Sequence, residues 1–142
     1  MDKTLAPPTQ PLFEASHLSK RYGDTTVVDD VSFAIAPGEC LGVIGPNGAG
    51  KTTTIRMCLG HTAPDGGTVQ FYAGAAADPL QMPRDALAIK AHLGVVTQFD
   101  TLDPDFTCAE NLRVVGRYSG SKGAVMDERG PRLLEFAALT HK

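Results

Sequence analysis

Tryptophan is absent from this chain of 142 residues, aromatic residues make up only 6%, and no apolar run approaches the roughly 18 residues that a membrane-spanning helix needs. A spanning segment is therefore not expected. Basic charge is not in excess either. Thirteen Lys and Arg stand against 16 Asp and Glu, a net charge of −3, which leaves no electrostatic footprint for nucleic acid. Cysteine is sparse: Cys40, Cys58 and Cys108 are far apart and odd in number, which argues against a disulfide framework and suits reduced thiols in a cytosolic protein. Cys40 and Cys58 lie on apolar segments and are expected in the core. His17, His61, His92 and His141 show no ligand-like spacing, so a metal site built by the protein alone is not expected. Residues 1–12 carry Asp2 and three prolines without an apolar centre. They are no secretory signal and read as a disordered lead-in.

What is present is a phosphate-binding loop: Gly45, Pro46, Asn47, Gly48, Ala49, Gly50, Lys51 and Thr52, set between the apolar run at 40–44 and a helix-like stretch at 53–59. Glycines let backbone N–H groups turn inward onto anionic oxygens, and the helix behind them points the positive end of its dipole at the same place. Lys51 is spaced to reach the β- and γ-phosphates of a nucleoside triphosphate, and the Thr52 hydroxyl to ligate Mg²⁺.

The surrounding pattern predicts antiparallel strands leading into an α/β core. Residues 12–22 alternate partially and are followed by a turn at Gly23-Asp24 and one or two strand pieces over 26–35. A turn at 36–39 then feeds a strand at 40–44 into the loop. After the loop helix, a turn at 64–67 precedes a strand at 68–72, a short helix at 84–90 and a buried strand at 93–97 ending at Gln98. Residues 99–105 have no period and read as a loop. Thr107 and Glu110 have the spacing of a capping box and predict a helix through about Arg117. Residues 119–123 interrupt it, and a last helix is expected to begin at Pro131, a residue suited to a first helical turn.

Hydrolysis also requires a carboxylate at the end of another buried strand to hold Mg²⁺. The only sequence that comes near this is residues 124–128, which end in Asp127-Glu128 but are short and follow Gly123. They read as the polar approach to the last helix, so no catalytic residue is assigned and the chain reads as truncated.

Together these residues resemble the ATP-binding subunit of ATP-binding cassette (ABC) transporters, from about Phe13 onward. The resemblance implies an incomplete α/β P-loop NTPase fold of the ABC type over residues 13–142: an antiparallel hairpin region, an α/β core and the start of a helical subdomain. It implies ATP with Mg²⁺ as ligands, Tyr22 as the aromatic that stacks on adenine, and Gln98 as the glutamine that contacts Mg²⁺ and senses the γ-phosphate. Thr53 would assist Lys51 and Thr52. A plainer role stands beside two of these: Tyr22 as a packing residue of the sheet, Gln98 as a polar strand end. The resemblance further implies an integral-membrane permease and a second ATP-binding subunit as partners, with the protein held peripherally on the cytoplasmic face of the inner membrane. The stretches 98–103, 106–107, 110–112, 116–118 and 133–137 are most similar to the branch that exports lipo-chitooligosaccharide nodulation signals. Thr97, Thr101 and Cys108 depart from that branch's usual Pro, Asn and Val. Drug and polysaccharide exporters share much of the pattern, and a cassette without a transport role is the rival from another class.

Overall fold

In the computed structural model, which describes residues 10–72, 78–97 and 102–139, the chain divides into two units, residues 1–92 and 93–142. The start of the lead-in (1–9), Gln98 with the loop residues 99–101, and His141 lie outside the described residues.

The first unit is built on four antiparallel strands in the order β2-β1-β3-β4: β1 Phe13–Tyr22, β2 Thr25–Ile35, β3 Gly66–Phe71 and β4 Leu80–Met82. The expected hairpin is present, with Tyr22 opposite Thr25 across the Gly23-Asp24 turn, and residues 25–35 form one strand rather than two pieces. The partial alternation of β1 has a definite cause. Phe13, Ala15 and Leu18 are buried, so the two-residue step becomes three at a bulge around His17. His17 takes a left-handed φ of 54°; its N–H donates to Ser32 Oγ (2.8 Å) and its Nδ1 pairs with Asp30 Oδ1 (2.6 Å). Across the bulge β3 comes so close that a Cβ on Gly67 would lie 2.3 Å from the His17 carbonyl oxygen, which only glycine permits. Short helices α1 Lys51–Cys58 and α2 Ala86–Lys90 complete this unit. Leu18, Val69, Met57 of α1 and Ile89 of α2 are its largest fully buried side chains, and burial of each contributes about 1.5–3 kcal/mol.

Four expectations are corrected. Residues 40–44 form no strand, and Leu41, Val43 and Ile44 are 40%, 45% and 96% exposed. A buried parallel strand exists only through neighbours that take its N–H and C=O groups, and no described residue pairs with this run. Cys40 is accordingly exposed rather than in the core, while Cys58 is half-buried, and burial pushes its thiol up to about 11. Residues 93–97, expected as a buried strand, also form no strand, and Val96 is fully exposed. The fourth correction concerns the last helix: α3 Cys108–Tyr118 is followed by α4 Gly123–Phe136. The last helix thus begins eight residues before Pro131, and the supposed polar approach at 124–128 is helical. Pro131 removes one helical N–H, and the residue before a proline normally resists helical geometry because its Cβ clashes with the ring. Gly130 has no Cβ, which lets the helix run through. Its buried backbone also faces Leu112, and Gly116 of α3 packs so closely on Met126 that a Cβ there would lie 2.4 Å from the sulfur.

Candidate nucleotide-binding site

The loop from Gly45 to Thr52 is pinned at one point. Lys20 pairs with Val28 and Arg21 with Thr26, so Val27 is an extra residue on β2 and drops out of the ladder. Gly50 sits against it: an added Cβ would lie 2.4 Å from the Val27 carbonyl oxygen and 3.1 Å from Val28 Cγ2. Gly50 is buried for this reason, whereas residues 45–49 are exposed. Asn47 and Gly48 make the turn, and Ala49 N–H donates to the Pro46 carbonyl at 3.3 Å. Gly48 and Gly50 both hold φ at 82°, the left-handed region that favours glycine.

Behind the loop, α1 starts without a cap. Gly50 occupies the N-cap position, no side chain accepts from the first-turn N–H groups, and no acidic residue lies in that turn. In α3 the contrast is direct: Thr107 Oγ1 accepts from Glu110 N–H (3.3 Å) and Glu110 Oε2 accepts from Thr107 N–H (2.8 Å), so the expected capping box is formed. An uncapped helix start, concentrated where two glycines turn the chain, is chemically suited to an anion. Lys51 folds across the loop, and its Nζ donates to the carbonyls of Gly45 (2.7 Å) and Pro46 (2.6 Å). Thr52 is exposed at the helix start and Thr53 half-buried. Thr54, not singled out from sequence, locks the turn: it is buried, and both its N–H (2.8 Å) and Oγ1 (3.0 Å) donate to the Gly50 carbonyl.

Tyr22 ends β1 two residues beyond Lys20, the partner of the Val28 on which Gly50 rests, and is 51% exposed. At about 3.3 Å per residue that step is about 7 Å along the strand, so the aromatic and the loop share one end of the β1–β2 ladder. Lys20 Nζ lies 5.7 Å from the Tyr22 ring centroid and forms a 2.7 Å ion pair with Asp65. Gln98, the remaining predicted ligand, lies outside the described residues. Among the described residues no group of three or more His, Cys, Asp or Glu could hold a metal ion. The donor set at the loop is a threonine hydroxyl, which fits Mg²⁺ bound mainly through phosphate oxygens and water.

In the second unit, one residue that sequence reasoning passed over organises the loop ahead of α3. Asn111 is buried; its Oδ1 accepts from Asp103 N–H (2.9 Å), and its Nδ2 faces the carbonyls of Asp103 (2.9 Å), Phe106 (3.2 Å) and Thr107 (3.3 Å). Leu102 and Phe106 on that loop are 56% and 45% exposed.

A family profile described as ABC transporter matches residues 28–141. The chain belongs to the ABC transporter family. It is 50% identical over 132 residues to Nod factor export ATP-binding protein I of Ralstonia nicotianae, covering 93% of this chain and 39% of that one. To the protein of the same name from Paraburkholderia xenovorans it is 54% identical over 129 residues, covering 91% and 40%. Among solved structures, an ATP binding subunit of an ABC transporter aligns with a TM-score of 0.73 at 28% identity, over 87% of this chain and 49% of that one. An ATP-binding cassette of an ABC transporter aligns at 0.72 and 28%, over 94% and 56%. This ABC chain therefore spans about two-fifths of the length of those curated relatives, and the fold class expected from sequence is the one these neighbours have.

Proposed function

We propose that this chain is the leading part of the nucleotide-binding domain of an ATP-binding subunit that powers an export system. The observation that carries the reading is the uncapped start of α1 behind Gly48 and Gly50, with Lys51 folded over the loop. Gly45, Pro46, Asn47 and Ala49 shape the loop, the N–H groups of Gly48, Gly50 and the first helical turn receive phosphate oxygens, and Thr53 assists. Lys51 leaves its two carbonyl acceptors for the β- and γ-phosphates, exchanging neutral acceptors for charged ones and so gaining strength. Tyr22 stacks on adenine. Thr52 and Gln98 would hold Mg²⁺ that arrives with the nucleotide, and that ion would neutralise phosphate charge.

The names of the two relatives support export of a lipo-chitooligosaccharide nodulation signal as the work driven by this ATPase. The subunit would act as a dimer on a membrane permease, peripherally at the cytoplasmic face; no described helix is long and apolar enough to cross a membrane itself. The exposed Leu102 and Phe106, on a loop braced by Asn111, are the apolar anchors that such a permease would take up.

Lys51→Ala in the full-length protein tests the reading. Loss of charge-assisted bonds worth about 1.5–3 kcal/mol each should weaken ATP by about a hundredfold or more. Titration with a fluorescent nucleotide showing unchanged affinity would refute it.

A further inference from the structure

The ladder between β1 and β3 ends at Ser19 and Gly66, yet β1 continues to Tyr22. Past that point no described strand lies on the β3 side of β1, and the residue before Gly66 takes over the pairing. Asp65 N–H donates to the Ser19 carbonyl (2.9 Å), and Asp65 Oδ2 accepts from Arg21 N–H (2.8 Å). Its other carboxylate oxygen, Oδ1, receives Lys20 Nζ at 2.7 Å. One aspartate thus clasps three consecutive residues of β1 immediately before the aromatic. The lysine it holds is largely covered, its side chain only 14% exposed, and the ammonium stands 5.7 Å from the Tyr22 ring centroid. This is within the range at which a cation is attracted to an aromatic face. A lysine on an open strand end would otherwise sample many rotamers; a carboxylate on one side and a ring on the other leave it few.

We propose that Lys20 and Asp65 are positioning residues for recognition of the nucleotide base: Asp65 fixes Lys20, and Lys20 fixes and polarises the Tyr22 ring that stacks on the base. The inference rests on the reading of Tyr22 given above. A cation beside the ring draws electron density from it, which favours stacking with an electron-rich purine, and it holds the ring in one orientation before the nucleotide arrives. Neither residue need touch the ligand. Their effect is confined to the base, because the phosphates are held by the loop and by Lys51.

The test separates base from phosphate binding in the full-length protein. ATP and inorganic tripolyphosphate, which has the phosphates and no base, are titrated by calorimetry against wild type and against Tyr22→Ala, Lys20→Met, Lys20→Arg and Asp65→Asn. Tyr22→Ala should weaken ATP by about five- to a hundredfold, the range of a lost base–aromatic stack, and leave tripolyphosphate unchanged. Lys20→Met should weaken ATP by about two- to fivefold, as for a cation–π contact at a partly exposed site, with tripolyphosphate again unchanged. Asp65→Asn should act in the same direction, and Lys20→Arg should restore wild-type affinity. Unchanged tripolyphosphate binding also shows that each variant folds. If Lys20→Met weakens both ligands equally, the lysine acts on phosphate charge and the proposal is overturned; if it weakens neither, the lysine has no role in binding. If Tyr22→Ala leaves ATP affinity unchanged, the stacking role itself fails, and the proposal with it.

Discussion

Replacing Gly50 by alanine asks whether the phosphate loop is held against β2 or merely turns ahead of α1. Two costs combine at this position. The φ of 82° is a left-handed backbone, which costs an L residue about 1–2 kcal/mol. The new Cβ would also stand 2.4 Å from the Val27 carbonyl oxygen, a backbone atom with little freedom to retreat, and overpacking of that kind costs about 1–3 kcal/mol. Gly48 supplies the control, since its φ is also 82° but its added Cβ would meet nothing within 4 Å. Gly50→Ala should therefore destabilise by about 2–5 kcal/mol and Gly48→Ala by about 1–2 kcal/mol. With a urea slope of about 2 kcal/mol/M, the two midpoints, followed by circular dichroism, should differ by about 1 M. Gly50→Ala should also weaken ATP, because relieving the contact moves the loop as a body. Equal midpoints for the two variants would refute the argument that Val27 pins the loop.

Asn111→Ala should release the loop ahead of α3 at a cost of about 2–4 kcal/mol, since it strips partners from a buried polar cluster. Hydrogen exchange at the Asp103 amide reads this directly, and unchanged protection would exclude the bracing role. The Asp65 carboxyl lies below its ordinary range, first because of the Lys20 hydrogen bond and then the Arg21 N–H. Its contribution is thus present above the unfolded value of about 3.9 and is lost as pH falls through the lower folded value, so Asp65→Asn should flatten the acid limb of a stability–pH curve. Superimposable acid limbs would count against it. Replacing Leu102 and Phe106 together by Ser should leave ATP affinity unchanged while reducing recruitment to permease-containing membranes; full recruitment in a vesicle flotation assay would remove this loop from the interface.

Local chemistry was legible in the sequence wherever one short segment determines the outcome. The Gly23-Asp24 turn and the Thr107–Glu110 capping box needed no distant partner, and the structure forms both; the turn at Gly48 was legible in the same way, while the packing of Gly50 on Val27 was not. Residues 40–44 failed because an apolar run becomes a strand only when neighbours accept its backbone bonds, a condition that periodicity cannot express. The start of α4 does not follow from the proline rule alone. Pro131 favours a first helical turn, but Gly130 before it removes one of the steric reasons for a helix to stop there, the clash of a Cβ with the proline ring.

The residues that sequence reasoning passed over share a physical task. Asp65 supplies an acceptor for Arg21 just ahead of the start of β3, Asn111 closes the backbone groups of a loop that belongs to neither strand nor helix, and Thr54 secures the carbonyl of Gly50 at the first turn of α1. Each meets a backbone group where regular structure runs out, and an unmet group there is expensive once water is excluded. Composition cannot point to them: Asp, Asn and Thr are ordinary residues at ordinary frequency, and Asp65 lies 44 positions from its partner Arg21. The signal that could have found Asp65 is its place immediately before Gly66-Gly67, where the chain must turn into β3 alongside β1. A carboxylate entering a sheet edge at that register has a row of N–H groups within reach. In this chain the row leads directly to Tyr22, so a residue placed to finish a strand is also placed to set the aromatic at its end.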